Sequence, residues 1–174
     1  MISEGYIPVK PLSNNSYICT FWIIAYGIQR GNNFPGYKTG MRVKNLAMYR
    51  CTLEVRGYEL DSFNHVNNAV YLNYFEHARW QMIRETGLIN YFEETGNFLV
   101  VVDIHIKYLR EIRLFDKLVI ETSVSRDDPY LTFHQEMYKA KRSIKVSKAE
   151  VKTLLLDRER TPIDLPEDLL VKNG

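Results

Sequence analysis

Cysteine and histidine are scarce in this chain of 174 residues, which contains only two cysteines, Cys19 and Cys51, and four histidines. Two cysteines do not make a disulfide framework or a zinc cluster, so we expect reduced thiols in a cytosolic protein. The histidines lie far apart in the sequence and lack the spacing of metal ligands. The sequence therefore predicts no metal site.

Charge imbalance, nucleotide-binding loops and apolar runs of membrane length are also missing. The net charge is only +2, which gives no sign of the basic patch that binding of nucleic acid needs. No G-x-G-x-x-G or Walker sequence follows a candidate strand, which argues against a nucleotide-binding α/β fold. The apolar run at residues 17–28 is shorter than the roughly 20 residues of a membrane-spanning helix. We expect no membrane partner.

The first 47 residues differ in composition from the rest, because Gly, Pro and Asn recur there every few positions. A barely basic start and the lack of an A-x-A pattern after the apolar run argue against a signal peptide. Residues 1–47 are interpreted either as an N-terminal extension of unknown role or as upstream sequence from a wrongly assigned start codon, since Met41 and Met48 both precede the patterned region. At 174 residues the chain is long enough for one well-cored domain and short for two, and we assign that domain to residues 48–174.

That domain opens with a strand pattern followed by a helix pattern. Bulky and polar residues alternate over residues 49–55, which is typical of a half-buried strand. Apolar residues then recur every three or four positions and predict a helix of about 20 residues with one buried face. Asn67 suits the N-cap of this helix and Gly87 its end. The buried face is expected to contain Tyr71, Leu72, Phe75, Ala78, Met82 and Ile83.

Four further strand patterns complete the domain, at residues 97–109, 116–126, 130–140 and 145–157. Short polar turns join the last three of them. A strand, a long helix and four closely connected strands predict an α+β fold in which an antiparallel sheet wraps around the helix.

The junction between the first strand and the helix carries a family resemblance. The segment "VRGYELDSFNHVNNAVYLNYFEHAR", residues 55–79, is similar to the signature of the 4-hydroxybenzoyl-CoA thioesterase-like branch of the hotdog-fold thioesterase superfamily. Its "HVNN" is similar to acyl-ACP thioesterases and long-chain acyl-CoA thioesterases. The resemblance covers about residues 48–172. It implies the hotdog fold, with one long central helix, and an enzyme that hydrolyses an acyl-CoA or acyl-ACP thioester to a free acid and a thiol.

Asp61 and Asn68 are the main catalytic residues that the resemblance implies. The family's catalytic carboxylate matches Asp61, which is suited either to attack the thioester carbonyl or to act as general base on water. The family also polarises the thioester oxygen with a backbone amide, and Asn68 is the register match. The start of a helix offers free N–H groups and a partial positive charge for this purpose.

His65 and Asn67 are further candidates. His65 matches the histidine of the acyl-ACP thioesterase pattern, but Phe63 stands where that pattern has its first asparagine, so the full set is absent. A hydrogen bond from His65 to a loop carbonyl is the alternative. Asn67 serves as a helix cap, and we include it among the substrate-binding candidates. Glu76 is a last candidate, for which an ion pair with Arg79 is the simpler interpretation.

The remaining substrate-binding candidates flank this junction. Tyr71 and Phe75 are expected in the core or in the wall of an acyl pocket. Arg110 and Arg113 are expected to meet the phosphates of coenzyme A or of a carrier's pantetheine, although basic residues near strand ends are also ordinary surface. The resemblance implies no metal or redox cofactor, a cytoplasmic location, and a homodimer or homotetramer with the site at the subunit interface.

Two other functions remain open at the level of sequence. Hotdog hydratases that act on enoyl thioesters resemble one another in an Asp and a His separated by four residues, whereas three residues separate Asp61 from His65. A non-catalytic protein that binds acyl thioesters on the same scaffold is the other alternative, because a fold does not fix a function.

Overall fold

The computed structural model describes residues 48–166 and residue 169, which form five strands and two α-helices. Residues 1–47, the predicted extension, lie outside the described residues. The strands are β1 (Tyr49–Glu54), β2 (Phe98–Tyr108), β3 (Lys117–Asp127), β4 (Tyr130–Lys139) and β5 (Ile144–Leu156), and the helices are α1 (Asn68–Glu85) and α2 (Leu88–Thr95).

The five strands form one antiparallel sheet in the order β1-β3-β4-β5-β2. The chain lays β3, β4 and β5 side by side through tight connections, as the short polar turns predicted. β1 and β2 form the two edges, and a bulge between Val101 and Asp103 interrupts the pairing of β2 with β5. The predicted α+β architecture, a sheet that wraps around a long helix, is confirmed.

The two ends of α1 follow the sequence signals. The side chain of Asn67 accepts a hydrogen bond from the backbone N–H of Ala69 at 2.9 Å, which confirms the predicted N-cap. After Glu85 the chain reaches Gly87, whose φ of 77° lies in the left-handed region that favours glycine. The helix α2 begins directly after Gly87. It was not predicted, because a helix of two turns shows little apolar periodicity in the sequence.

The core lies between α1 and the sheet face that it covers. Phe75, Ala78 and Met82 of α1 are buried as predicted, whereas Leu72 is only half buried. Tyr74 is buried instead, since its hydroxyl finds a partner inside the protein. Burial of a side chain such as Phe75 stabilises the fold by about 2–3 kcal/mol. This packing fixes the start of α1 relative to the loop that precedes it.

Candidate functional site

The loop between β1 and α1 closes on itself immediately before the helix. The backbone N–H of Asp61 donates to the carbonyl of His65 at 2.8 Å, and Leu60 forms an antiparallel bridge with Val66. Asn64 takes a φ of 60° at the tip of the turn, a conformation that asparagine tolerates. These bonds draw the polar cluster of the sequence into one compact turn beside the start of α1.

The Asp61 carboxylate is held by one of its two oxygens. Oδ1 accepts hydrogen bonds from the backbone N–H groups of Phe63 at 2.8 Å and His65 at 3.1 Å. Across residues 48–166 and 169, no group bonds Oδ2. The carboxylate therefore braces the turn with one oxygen, which fixes its orientation, and leaves the other available to a ligand or a water molecule.

The first residue of α1 offers a free backbone donor. The side-chain oxygen of Asn67 accepts a hydrogen bond from the Ala69 N–H, and its backbone carbonyl accepts one from the Val70 N–H, both at 2.9 Å. The N–H of Asn68 has no acceptor in the part of the chain that the structure describes. Because the helix dipole adds partial positive charge at this end, the Asn68 N–H is suited to a negatively charged oxygen.

The His65 side chain has a carboxylate partner rather than a loop carbonyl. Its Nε2 lies 2.9 Å from Oε2 of Glu111, which belongs to the connection between β2 and β3. The other oxygen of Glu111 accepts from Arg113, at 2.9 Å from Nε and 2.7 Å from Nη2. Glu111 was not predicted, because nothing in the local sequence relates it to His65. The contacts of Glu111 with His65 and Arg113 therefore link the connection between β2 and β3 to the Asp61 turn.

Both predicted phosphate-binding arginines lie in this same connection. The Nη1 of Arg110 donates to the carbonyl of Lys145 at 2.7 Å, and the guanidinium of Arg113 pairs with Glu111. Each arginine thus has a protein partner, and both lie near the junction. A phosphate contact from either stays a prediction.

A buried carboxylate that sequence analysis missed fastens α1 to the loop. Oε2 of Glu59 accepts from the backbone N–H of Arg56 and from the hydroxyl of Tyr74, both at 2.6 Å. Its backbone carbonyl accepts from the Asn67 N–H at 2.9 Å. Burial, together with the hydrogen bond to Glu59, raises the pKa of Tyr74, so its phenol stays protonated and donates. Glu59 therefore holds the capping residue of α1 in place.

The two predicted wall residues lie on the buried face of α1. Tyr71 donates to the carbonyl of Arg110 at 3.3 Å, and burial, aided by the neighbouring Tyr108, raises its pKa to about 12. Tyr108 stands edge-on to the Tyr71 ring and donates to the Asn68 carbonyl at 3.0 Å. Phe75, fully buried, lies deeper in the core. Tyr71 thus contacts the junction, whereas Phe75 supports it from below.

Glu76 and Arg79, one turn apart, do not form the predicted ion pair. Nη1 of Arg79 donates to Oε1 of Gln135 on β4 at 2.9 Å, so the guanidinium turns toward the sheet. Burial lowers the pKa of Arg79 to about 10, against a smaller raising effect of Glu76. Glu76 itself is exposed.

The described residues contain no group of three His, Cys, Asp or Glu side chains that would hold a metal ion. In the same part of the chain, no helix is both long and apolar enough to cross a membrane. The chemistry that this arrangement supports is that of a carboxylate and a helix amide acting on a bound carbonyl group.

Comparison with known families gives a match over most of the domain. A family model described as the thioesterase-like superfamily matches residues 55–172. The chain is 30% identical over 122 residues to the chloroplastic acyl-acyl carrier protein thioesterase ATL3 of Arabidopsis thaliana, covering 69% of this chain and 64% of that protein. It is 38% identical over 74 residues to the long-chain acyl-CoA thioesterase FadM of Escherichia coli, covering 42% of this chain and 56% of that protein.

A solved structure gives the corresponding match in three dimensions. The crystal structure of the probable thioesterase YbaW from Escherichia coli has a TM-score of 0.65 and 28% sequence identity, covering 70% of this chain and 92% of that chain. The architecture described above is therefore the hotdog fold, as the sequence resemblance implied. The chain spans less than two thirds of the length of the curated relatives named here, 64% of one and 56% of the other.

Proposed function

Because the chain belongs to the thioesterase-like superfamily, we propose that it is a hydrolase that cleaves an acyl-CoA or acyl-ACP to a free acid and a thiol. The observation that carries this proposal is the pairing of two available groups at one junction. Among the described residues, no group bonds the second carboxylate oxygen of Asp61 at the turn. The backbone N–H of Asn68 at the start of α1 likewise has no acceptor there. The similarity of the chain to acyl-ACP and acyl-CoA thioesterases also supports the proposal.

The two groups take complementary roles in thioester hydrolysis. Asp61 attacks the thioester carbonyl or removes a proton from the attacking water, and either role uses Oδ2 while Oδ1 stays on the turn. The Asn68 N–H stabilises the negative charge that develops on the carbonyl oxygen. His65 and its partner Glu111 stand beside Asp61, where His65 is available to orient water or to protonate the departing thiolate.

Substrate contacts are part of the same proposal. The carrier's phosphates meet Arg110 or Arg113, which would exchange a protein partner for a phosphate group. Asn67 holds the helix start, and Tyr71 together with Phe75 forms or supports the wall that receives the acyl chain. The acyl group belongs to fatty acid metabolism in this proposal.

Thiol release from a panel of short, long and aromatic acyl-CoA and acyl-ACP substrates tests the proposal. Asp61→Asn keeps the size of the side chain and removes its basicity, and we expect kcat to fall by about 100-fold or more, a barrier increase of about 2.7 kcal/mol. Asp127→Asn, exposed at the end of the inner strand β3 and away from the β2 edge, is the matched control and leaves kcat unchanged. Full activity in Asp61→Asn with intact folding would disprove the assignment of Asp61.

Labelled water separates the two roles of Asp61. Turnover in ¹⁸O water, followed by mass spectrometry of the peptide that contains Asp61, places the label in the aspartate when its oxygen attacks the substrate and water then attacks the aspartyl carbonyl. Label in the aspartate thus identifies attack by its oxygen, whereas label confined to the released acid is expected for a general base or for an anhydride that water opens at the acyl carbonyl. Asp61→Asn, which should carry no label in this peptide, is the reference.

A non-catalytic protein that binds acyl thioesters is the competing function. The two backbone hydrogen bonds to Oδ1 also suit an aspartate that only braces a turn. Binding of acyl-CoA without thiol release from any substrate in the panel would favour it. Hydration of an enoyl-CoA, followed by loss of absorbance from the conjugated double bond, tests the hydratase alternative.

Assembly and location complete the proposal. In a single chain, one side of the long edge strand β2 pairs with no strand within the described residues, and such an edge is readily covered by a second copy. We therefore propose a homodimer or homotetramer, which light scattering after size exclusion would measure. A cytoplasmic location is proposed as well, and cell fractionation tests it against a plastid location like that of the chloroplastic ATL3 relative.

A further inference from the structure

The sheet face that points away from α1 carries a row of three polar side chains on adjacent strands. Ser125 of β3, His134 of β4 and Glu150 of β5 all alternate with buried residues that face the helix. The hydroxyl of Ser125 lies 2.7 Å from Nε2 of His134. The opposite ring nitrogen, Nδ1, lies 3.8 Å from Oε2 of Glu150. This cluster shares no residue with the junction at Asp61.

The order of the three groups has a chemical consequence. The Glu150 carboxylate, at 3.8 Å from Nδ1, is beyond hydrogen-bond distance and acts through its charge, which favours the imidazole tautomer that carries its proton on Nδ1 and leaves Nε2 to accept the Ser125 hydroxyl proton. A serine, a histidine base and an orienting acid in this sequence activate a serine oxygen as a nucleophile. Both His134 and Glu150 have nearly half of their side-chain surface exposed, 44% and 48%, so a small reagent can reach the row.

We propose that Ser125 is an acyl-accepting serine that takes an acyl group from an activated ester. Ser125 Oγ attacks the carbonyl carbon while its proton passes to Nε2 of His134, and Glu150 stabilises the imidazolium that results. The bond from the carbonyl carbon to the leaving oxygen then breaks, and the leaving group takes the proton from His134. The products are an ester on Ser125 and a free alcohol or phenol, without any oxidant or reductant.

The surrounding sheet determines how far the reaction goes. Backbone groups of β3, β4 and β5 pair with one another along the ladders around this row, so they offer the acyl group no free pair of N–H donors. Without such donors both steps lack stabilisation of the oxyanion, but the reagent is an activated ester with a good leaving group, whereas the serine ester is an ordinary alkyl ester that water attacks much more slowly. The ester therefore accumulates on the protein, which makes Ser125 a modification site rather than a second centre of turnover.

Labelling with p-nitrophenyl acetate tests this inference on the full chain. The Asp61→Asn variant is used, so that the proposed thioesterase site does not consume the reagent. We expect one acetyl group to appear on Ser125, located by peptide mass spectrometry, at a rate about 100-fold above that of Ser123. Ser123 is the matched internal control, because it lies on the same strand and face, directly opposite His134, without the hydrogen bond that Ser125 makes.

Two variants complete the test. Ser125→Ala should remove the label, and His134→Asn, which keeps a polar group of similar size, should slow it about 100-fold. Both positions are on the outer face, so unchanged far-UV circular dichroism is the folding check. Equal acetylation of Ser123 and Ser125, an unchanged rate in His134→Asn, or acetyl groups found on lysines alone would each overturn the proposal.

Discussion

The start and the middle of α1 differ in whether the polar groups beside them have hydrogen-bond partners. At the start, Asp61 keeps one carboxylate oxygen and Asn68 its backbone N–H without partners among the described residues. Under the middle of the helix, the β4 residue Gln135 is almost fully buried and both polar atoms of its side chain are paired. Its amide donates to the Phe75 carbonyl at 2.9 Å and to the Thr122 hydroxyl at 3.1 Å, and its carbonyl accepts from Arg79 at 2.9 Å.

This difference separates two roles that one helix performs. A buried polar group must be paired, because an unpaired one destabilises the fold by roughly 1–3 kcal/mol. The unpaired groups at the start of α1 are close to solvent, where water satisfies them at little expense until a ligand replaces it. We therefore expect changes in the middle of α1 to lower stability and changes at its start to lower activity.

The largest expected effect on stability comes from Gln135→Leu. This variant leaves the buried guanidinium of Arg79 without its acceptor, and we expect the free energy of unfolding to fall by about 3 kcal/mol. Urea unfolding measures that change. The kcat of the folded fraction should stay near the wild-type value, because Gln135 does not touch the junction.

Gln81→Leu is the control for that variant. Gln81 lies on the outer part of α1 and contacts Arg84 and His77, both exposed, so its loss should change the free energy of unfolding by at most about 0.5 kcal/mol. Equal losses of stability in the two variants would contradict the distinction between the two parts of α1. So would a fall in the kcat of Gln135→Leu without a fall in stability.

An intermediate effect is expected from Asn67→Ala, which removes the cap of α1. The free energy of unfolding should fall by about 1 kcal/mol, since the Ala69 N–H loses its acceptor. Because the neighbouring Asn68 N–H is then less well fixed, kcat should fall while KM changes little. Thermal unfolding and thiol release measure the two effects.

Asn73→Ala supplies the matched comparison on the same helix. Asn73 is exposed within α1, where alanine is the better helix former, so stability should rise by a few tenths of a kcal/mol. Its kcat should not change. A drop in kcat of similar size in Asn73→Ala and Asn67→Ala would show that general loosening of the helix, rather than the position of the Asn68 amide, is responsible.

The same two regions show how far sequence reasoning reaches. Asn67 and Gly87 were predicted because capping and left-handed termination are local properties of a few residues. The turn at Asp61 was recognised through a motif of consecutive residues. The pairing of Gln135 with Arg79 was missed, because it joins residues 56 positions apart and depends on how β4 lies under the helix.

Glu59 and Glu111 were missed for a related reason. Each looks like an ordinary surface acid in the sequence, and only the packed structure places Glu59 against the Tyr74 hydroxyl and Glu111 against His65. The short helix α2 was missed because eight residues carry too little periodicity for a pattern to emerge. Features within one helix or strand could thus be predicted from the sequence, whereas side-chain pairs between elements became visible only in the folded structure.

Apart from the two controls, the smallest expected effect comes from Glu111→Gln, which neutralises the partner of His65 at the rim of the junction. Both side chains are partly exposed, at 35% and 49%, so the free energy of unfolding should change by less than about 1 kcal/mol and the difference should shrink in high salt. Since Glu111 orients His65 rather than touching the thioester, kcat should fall by less than about tenfold. Urea unfolding at low and high salt and thiol release test both statements. A loss of stability as large as that of Gln135→Leu would place the His65 pair with the buried network instead of the junction, and the division of α1 into a structural middle and a functional start would then fail.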